Sequence, residues 1–369
     1  MPARGKPGGA LPGSALDWSA FLEPHSTPVG PIVNHKLRAR ALGMLSGGLD
    51  SSLATHLLQA QGIEVVGVNF STGFCRADHQ RQVHRKGTDP RKLRNQALRA
   101  GADFGVEVHV IDVADEYLDV LRHPRHGYGR NANPCIDCRV LMLSRAREFM
   151  EESGCDFVFT GEVLGQRPKS QTRKAMNVVA EESGLADRLL RPLSARLLAP
   201  TRPERDGLVD RERLLAFSGR DRNPQLELAQ RLRLGELPQP AGGCCSLTDE
   251  GYSNRVFDLF AHGRRENIGQ EDLLLLKAGR HLRIGPAAKV VVARFEEENA
   301  FLDNFVSGRF HLSAVDHSGP VAILDVNPGA LATEQDLRTA ARITARYGRG
   351  KREERVRVRA RHGDRDRVL

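Results

Sequence analysis

The sequence predicts an α/β fold, a doubly wound parallel sheet with a smaller C-terminal α+β domain. Three observations lead there. Between residues 41 and 162, short apolar runs alternate with helical patterns, the signature of a parallel sheet covered on both faces. A Gly-rich turn, SGGLDSS at 46–52, joins the first run to the first helix. Past about residue 200 the pattern becomes helical and charged, and a second unit with its own short strands starts near 272.

Taken in order, residues 1–35 are rich in Gly, Pro and Ala without a sustained period and read as a flexible leader. ALGML, from Ala41, is a short apolar strand. In SSLATHLLQAQG, Leu53, Leu57 and Leu58 share one helical face before Gly62 stops the helix. IEVVGVNF (63–70) reads as a second strand, 90–103 as a basic helix and VEVHVIDV (106–113) as a third strand. A helix from Ile136 to Ser153 ends at Gly154, and DFVFTGE (156–162) is the fourth strand. PAGGCCSL (240–247) is a Gly-rich turn. In the second unit, strands are expected near 289–294 and 320–325 and a helix near 334–345. From Arg349 onward nine Lys or Arg face four acids, and RVRVRA fits either a strand with one cationic face or a basic tail.

The 369 residues are 40% hydrophobic and 27% charged, ordinary for a globular protein and long enough for more than one domain. No apolar run approaches the roughly 20 residues a membrane span needs. The N-terminal stretch holds no continuous apolar segment of the secretory kind. The chain therefore reads as cytoplasmic, with no membrane partner. Net charge is +9 and the isoelectric point about 9.5, which suits a polyanionic partner such as nucleic acid. In a reducing compartment the six cysteines read as ligands or reactive thiols rather than bridges.

The loop at 46–52 carries the first chemistry. Gly47 and Gly48 let the backbone approach a ligand, and the following helix N-terminus suits phosphate. Ser46, Ser51 and Ser52 add hydroxyl donors. Asp50 is an odd residue in an anion site unless it holds Mg²⁺ bound to the phosphates. No G-x-x-x-x-G-K-[ST] is present, so this is not a Walker A loop. SGGLDSSLA resembles the PP-loop of the ATP pyrophosphatase superfamily, whose fold is adenine nucleotide alpha hydrolase-like. That resemblance implies cleavage of ATP between the α- and β-phosphates, adenylation of a substrate and release of pyrophosphate.

The second chemistry is NPCIDC at 133–138. Cys135 and Cys138 stand on a turn entering a helix, where two thiolates can reach one metal and the helix N-terminus lowers their pKa. A redox pair, zinc, an iron–sulfur cluster and two inert thiols all fit that spacing. NPCIDCR, FTGEVLGQRPKSQ (159–171), LRPLSARLLAPT (190–201) and PAGGC (240–244) together resemble a tRNA thiouridine synthetase, over roughly residues 40–260. This resemblance extends to the 2-thiouridylases and 4-thiouridine synthetases, in the variety without a rhodanese domain. It implies a tRNA substrate, a sulfur donor (sulfide or a persulfide carrier), and a [4Fe–4S] cluster on Cys135, Cys138 and Cys244, with Cys245 as substitute. Zinc or no metal is the alternative. Glu162 is expected to serve Mg²⁺ or polarise the base, and Thr160 and Gly161 to border the nucleotide. Asn69 and Phe70 would lie by the adenine, and Lys169, with Arg167 and Arg173, by phosphate. Cys75 and Cys155 read as bystanders.

Residues 272–360 resemble the RNA-binding module of the NFACT family, on GRH, ARFEEEN and ARYGRGK. Its Arg280, His281, Arg283, Lys289, Arg294, Arg346, Arg349, Lys351 and Arg352 would bind phosphates without reading sequence. The expected organisation is a leader (1–35), a PP-loop thiolation domain (36–250), a linker helix region (251–271), the RNA-binding domain (272–360) and a basic tail (361–369). A homodimer is among the expected assemblies. The leading expectation is a tRNA sulfurtransferase. A different PP-loop ligase, or a zinc-stapled nucleotide-sensing RNA-binding protein, are the alternatives.

Overall fold

The structure, a computed structural model, describes residues 39–75, 95–234 and 245–369. The expected leader at 1–35, the start of the 90–103 helix, and Cys244 lie outside the described residues.

β1 (Arg40–Met44) is the middle strand of a five-stranded parallel sheet ordered β3-β2-β1-β4-β5. α1 (Leu49–Gln59) follows it and buries Leu49, Leu53, Leu57 and Leu58 against the sheet. β2 is Glu64–Ser71 and pairs with β1 in register Gly43↔Gly67. α2 (Gln96–Phe104) is N-capped by Asn95, whose carboxamide accepts from Ala97 N and Leu98 N. β3 (Val108–Asp112) pairs with β2. α3 (Ala114–Arg122) packs beside Phe74, and α4 (Cys135–Glu152) covers the sheet on the way to β4 (Phe157–Thr160), which pairs with the other side of β1. α5 (Arg173–Glu182) leads to β5, only Leu189–Leu190, too short to stand out from the helical pattern around it. α6 (Asn223–Arg231) packs on α1 through Leu228 and Ala229. The winding reverses between β1 and β4, so the loop after β1 opens at the topological switch point, where folds of this class bind ligands.

α7 (Glu250–Leu259) and α8 (Gln270–Leu275) bridge the two sheets. Between them the helix breaks at His262 and Gly263, the latter at φ +78°. Tyr252, Val256, Leu259, Leu273 and Leu276 share one core with Phe74, Tyr117 and Leu121 of the first domain. Arg264 and Arg309 meet Asp272 and Asp325 in a buried ion network under the second sheet. The expected linker is thus a wedge buried on both sides, and a boundary at 272 would cut α8.

The second sheet has six strands: β6 (Arg280–Arg283), β7 (Ala288–Val292), β8 (Phe310–Ala314), β9 (Ala322–Val326), β10 (Val358–His362) and β11 (Arg365–Val368). All pairings are antiparallel, in the order β11-β10-β8-β9-β7-β6. α9 (Glu296–Leu302) supports one face; α10 (Glu334–Tyr347), started by a Thr333–Asp336 capping box, covers the other. The expected basic tail at 361–369 is instead the end of β10 and all of β11. Val358 and Ala360 point into the core under α10 while Arg359 and Arg361 face out, and Gly363 at φ +55° makes the two-residue turn. Buried alternate side chains hold this hairpin in the sheet despite its charge. No helix among the described residues is long and apolar enough to cross a membrane.

Candidate active site

The loop between β1 and α1 is fixed by backbone sterics. Gly47 sits at φ +72°, and a Cβ there would lie 2.2 Å from the backbone of Gln96. Gly48 caps α1 without a side-chain bond, and the first helical hydrogen bond runs from Ser52 N to Gly48 O at 3.1 Å. The N–H groups of Leu49, Asp50 and Ser51 therefore have no intrahelical acceptor. Ser51 Oγ donates to Gly48 O at 3.0 Å and lies 3.3 Å from Ser46 Oγ. Ser52 Oγ is buried with no hydrogen-bond partner. Asp50 is held by residues the sequence did not nominate. Gln166 Nε2 donates to its Oδ2 at 2.9 Å, and Arg222 Nη2 stands 3.6 Å from Oδ1, which accepts no hydrogen bond.

At the end of β4 the expected roles change. A Cβ on Gly161 would sit 2.5 Å from both Asp50 C and Ser51 N. This glycine lets the β4 exit lie against the loop. Glu162 is 3% exposed and clamped by Arg191 Nε at 3.1 Å and Arg139 Nε at 3.4 Å. Burial works against its charge, but the two guanidinium groups outweigh burial and hold the carboxyl below its ordinary range. Its placement is that of an ion-pair anchor, and the expected work on Mg²⁺ or the base finds no support. Thr160 Oγ1 completes the clamp at 3.3 Å from Glu162 Oε2. Asn69 Nδ2 donates to Leu45 O at 2.7 Å and ties β2 to the loop. Phe70, expected by the adenine, is half-buried and packs against the core that contains Leu42, Val66 and Val68. Lys169 Nζ donates to His126 O at 3.1 Å, and Arg173 Nη2 to Leu197 O at 3.0 Å. Both are fastened to backbone rather than aimed at the loop.

Cys135 and Cys138 occupy the first turn of α4, which opens at the carboxyl edge of the sheet because α4 runs back toward the start of β4. Asn133 Nδ2 donates to Cys135 Sγ at 3.0 Å. Tyr117 of α3, 2% exposed, donates its O–H to Cys138 and also feels Cys245 and Cys135. Burial first, then the neighbouring thiols, push this phenol well above its usual range, so it is a standing donor. Cys138 and Cys245 pack against the core that contains Tyr117 and Phe74, whose rings lie 5.1 Å apart. Cys75, read from sequence as a bystander, stands opposite Cys245 in an isolated antiparallel bridge. Cys155 is buried at the far end of β4, with Ser153 Oγ 3.4 Å from its sulfur, and stays outside the pocket. Among the described residues, no three His, Cys, Asp or Glu side chains converge as a preformed metal cage.

One continuous path joins the two parts. Cys138 adjoins Arg139, Arg139 reaches Glu162, and Gly161 lies on the backbone of Asp50. Sequence reasoning missed Arg139, Arg191, Gln166, Arg222 and Tyr117. Of these Arg139, Gln166 and Arg191 lie inside the quoted motifs NPCIDCR, FTGEVLGQRPKSQ and LRPLSARLLAPT, whereas Arg222 and Tyr117 carried no local signal.

In the second domain several expected phosphate cations are engaged elsewhere. Arg283 pairs with Asp258 at 2.5 Å, Arg294 is clamped by Glu298, and His281 Nε2 bonds Ala278 O at 2.8 Å. Lys289 is 2% exposed with Asp258 3.8 Å away, and burial lowers its pKa to about 8. Arg280 packs over the Tyr347 ring at 5.0 Å. Arg346, Arg349, Lys351 and Arg352 remain exposed.

Residues 37–196 match the family model of the thiamine biosynthesis protein ThiI, and residues 279–368 that of the NFACT protein RNA binding domain. The tRNA-specific 2-thiouridylase MnmA of Syntrophotalea carbinolica is 33% identical over 121 residues, 32% of this chain and 32% of the relative. The same-named protein of Bradyrhizobium sp. is 30% identical over 178 residues, 46% of this chain and 41% of the relative. The chain thus spans about a third to two-fifths of the length of these curated relatives. Among solved structures, a 4-thiouridine synthetase–RNA complex with bound ATP aligns at 19% identity and a TM-score of 0.31, over 53% of this chain and 50% of the other. Two matches thus follow one another along the chain, residues 37–196 being similar to ThiI and residues 279–368 to the NFACT protein RNA binding domain.

Proposed function

We propose that this chain is an ATP-dependent tRNA sulfurtransferase acting in the cytoplasm. The observation that carries the reading is the joining of a phosphate loop and a thiol pocket at one sheet edge, through Arg139, Glu162 and Gly161. The N–H groups opening α1 receive the ATP phosphates. Asp50 Oδ1, which accepts no hydrogen bond, is the oxygen available to a Mg²⁺ on those phosphates. A uridine carbonyl oxygen attacks the α-phosphorus and pyrophosphate leaves. A sulfur nucleophile then takes the activated carbon, and AMP departs with the oxygen. The half-buried thiols Cys135, Cys138 and Cys245 mark the place from which that sulfur is delivered. The exposed cations around Arg346 to Arg352 hold the tRNA backbone.

The finer reading concerns the sulfur. A thiol-only donor set around a buried phenol suits a [4Fe–4S] cluster held by Cys135, Cys138 and Cys244, with Cys245 as substitute. When bound, such a cluster offers an open iron at which sulfide can be held. The test is anaerobic purification with iron and acid-labile sulfide assays, followed by nucleoside analysis of tRNA incubated with ATP and sulfide. Thionucleoside formation that is lost in Asp50→Asn supports the sulfurtransferase; its absence, with ATP cleavage indifferent to tRNA, overturns it. About four irons per chain, lost in Cys135→Ala, support the cluster. Stoichiometric zinc or no metal overturns the cluster and leaves sulfur on a cysteine.

A further inference from the structure

The joint between α7 and the second sheet holds two cations without a carboxylate of their own among the described residues. In the register of β6 and β7, Arg283 faces Lys289 and His281 faces Val291, so His281 and Lys289 are diagonal neighbours on one face of the sheet. That face meets α7, because Asp258 Oδ2 accepts from Arg283 Nη2 at 2.5 Å and stands 3.8 Å from Lys289 Nζ. Arg255 lies one turn before Asp258, on the same side of α7. Asp258 is engaged by Arg283, and Glu298 by Arg294. Lys289, 2% exposed, has no hydrogen-bond partner for Nζ, and neither has the buried Arg255 Nε. His281 feels the charges of Lys289, Arg255 and Arg294 together, and Arg294 also opposes Arg255. Buried positive charge left uncompensated in this way is costly unless an anion joins it.

His281 adds the opposite kind of group. Its Nε2 donates to Ala278 O at 2.8 Å, and burial first, then the neighbouring cations, hold the imidazole well below its usual pKa. The ring is therefore neutral, and its Nδ1, buried with no partner, is a bare acceptor. The joint offers N–H donors on two cations beside one acceptor. Free phosphate matches that set. At neutral pH it keeps a P–OH to donate to Nδ1, while its other oxygens accept from Lys289 and Arg255. Sulfate and a phosphodiester have no such proton, and a terminal phosphomonoester has lost most of its own above a pKa of about 6.

We propose that this joint is a binding site for free hydrogen phosphate, held by Lys289 Nζ and Arg255 Nε and selected by His281 Nδ1. His281 and Arg255 are half-buried, so the ion reaches the site from solvent, with Lys289 at its base. Bound there, phosphate neutralises the buried charge and ties α7 to β6 and β7. It tightens the seat of the second sheet on a helix that also packs against Phe74 and Tyr117 of the first domain. The inference does not depend on the proposed sulfur transfer.

The test is calorimetric titration of inorganic phosphate into the full chain at neutral pH. A saturating magnesium complex of a non-hydrolysable ATP analogue fills the phosphate loop, so that only the joint is read. Saturable phosphate binding is expected, weaker or absent for sulfate, with a matching rise in melting temperature. Lys289→Met and Arg255→Gln should each weaken it about thirtyfold or more, and His281→Phe should erase the preference for phosphate over sulfate. Melting in phosphate-free buffer checks that the variants fold; Lys289→Met, which removes a buried cation, should lose no stability there. Binding unchanged in Lys289→Met, or sulfate bound as tightly as phosphate by the unsubstituted chain, overturns the proposal. Displacement of phosphate by a stoichiometric RNA oligonucleotide assigns the cations to RNA and overturns it too. Phosphate that gives no more heat than chloride does the same, and leaves the unpartnered atoms to a buried water.

Discussion

The phosphate loop is built from consecutive residues, 46–52, seated against Gln96 and Gly161, whereas the thiol site draws on Phe74 and Cys75, Tyr117, residues 133–139 and Cys245. The loop works through main-chain N–H groups and needs little beyond glycines and a helix start. In contrast, the pocket works through side chains and needs four segments to meet. The loop is consequently rigid by sterics, and the pocket is adjustable by chemistry. Their junction, where Gly161 touches Asp50 and Glu162 holds Arg139, is where the two modes of construction depend on each other.

The largest effect should come from breaking that junction on the loop side. Gly161→Val pushes a side chain into the backbone of Asp50 and Ser51. Displacing the loop by about 1 Å should lower tRNA-dependent AMP formation about a hundredfold. If AMP formation survives, the loop and the β4 exit are not coupled as described. Next comes the ion pair. Glu162→Gln leaves Arg191 and Arg139 without their carboxylate, and should cost about 3 kcal/mol in chemical denaturation. The Glu162 pKa is lowered in the fold, so its contribution is fully present above its ordinary value of 4.5 and fades as the pH falls through the lower folded value. The gap between the two proteins should shrink on acidification; a gap independent of pH would rule out the ion pair as its source.

A smaller change tests the second domain. Lys289→Met replaces a buried cation whose neighbour Asp258 already has Arg283, and should stabilise by on the order of 1 kcal/mol near neutral pH. Because the folded pKa of Lys289 is about 8 against an ordinary 10.5, the unsubstituted chain gains stability as the pH rises through that window. The advantage of Lys289→Met should therefore disappear by its upper end, as seen by melting at several pH values. The mildest test is Tyr117→Phe, which keeps the ring and removes the O–H donated to Cys138. Alkylation of Cys138 should move to higher pH once the donor is gone, and an unmoved profile would make Tyr117 a packing residue only.

The elements that were legible are those whose information is local. Strands β1 to β4, helix α1 and the loop were readable because apolar period and glycine placement act within a few residues. β5, β6 and β11 were not. β5 has two residues, and β6 and β11 are rich in Arg that only a finished sheet can orient. Cys75 carries no motif, and its partner is 170 positions away along the chain. Glu162 looked like a free acid beside a nucleotide, since nothing nearby in sequence announces Arg139 and Arg191.

By itself the sequence determined the phosphate loop, the parallel-sheet class and the cysteine turn at the head of a helix. Each rests on backbone conformation or period, which neighbouring residues decide among themselves. Only the tertiary structure decided which carboxylate is clamped, which cations stay exposed, and which cysteine faces Cys245. Those outcomes depend on through-space charge, burial and strand pairing between residues distant in the chain, and the chain writes no signal for them until it folds.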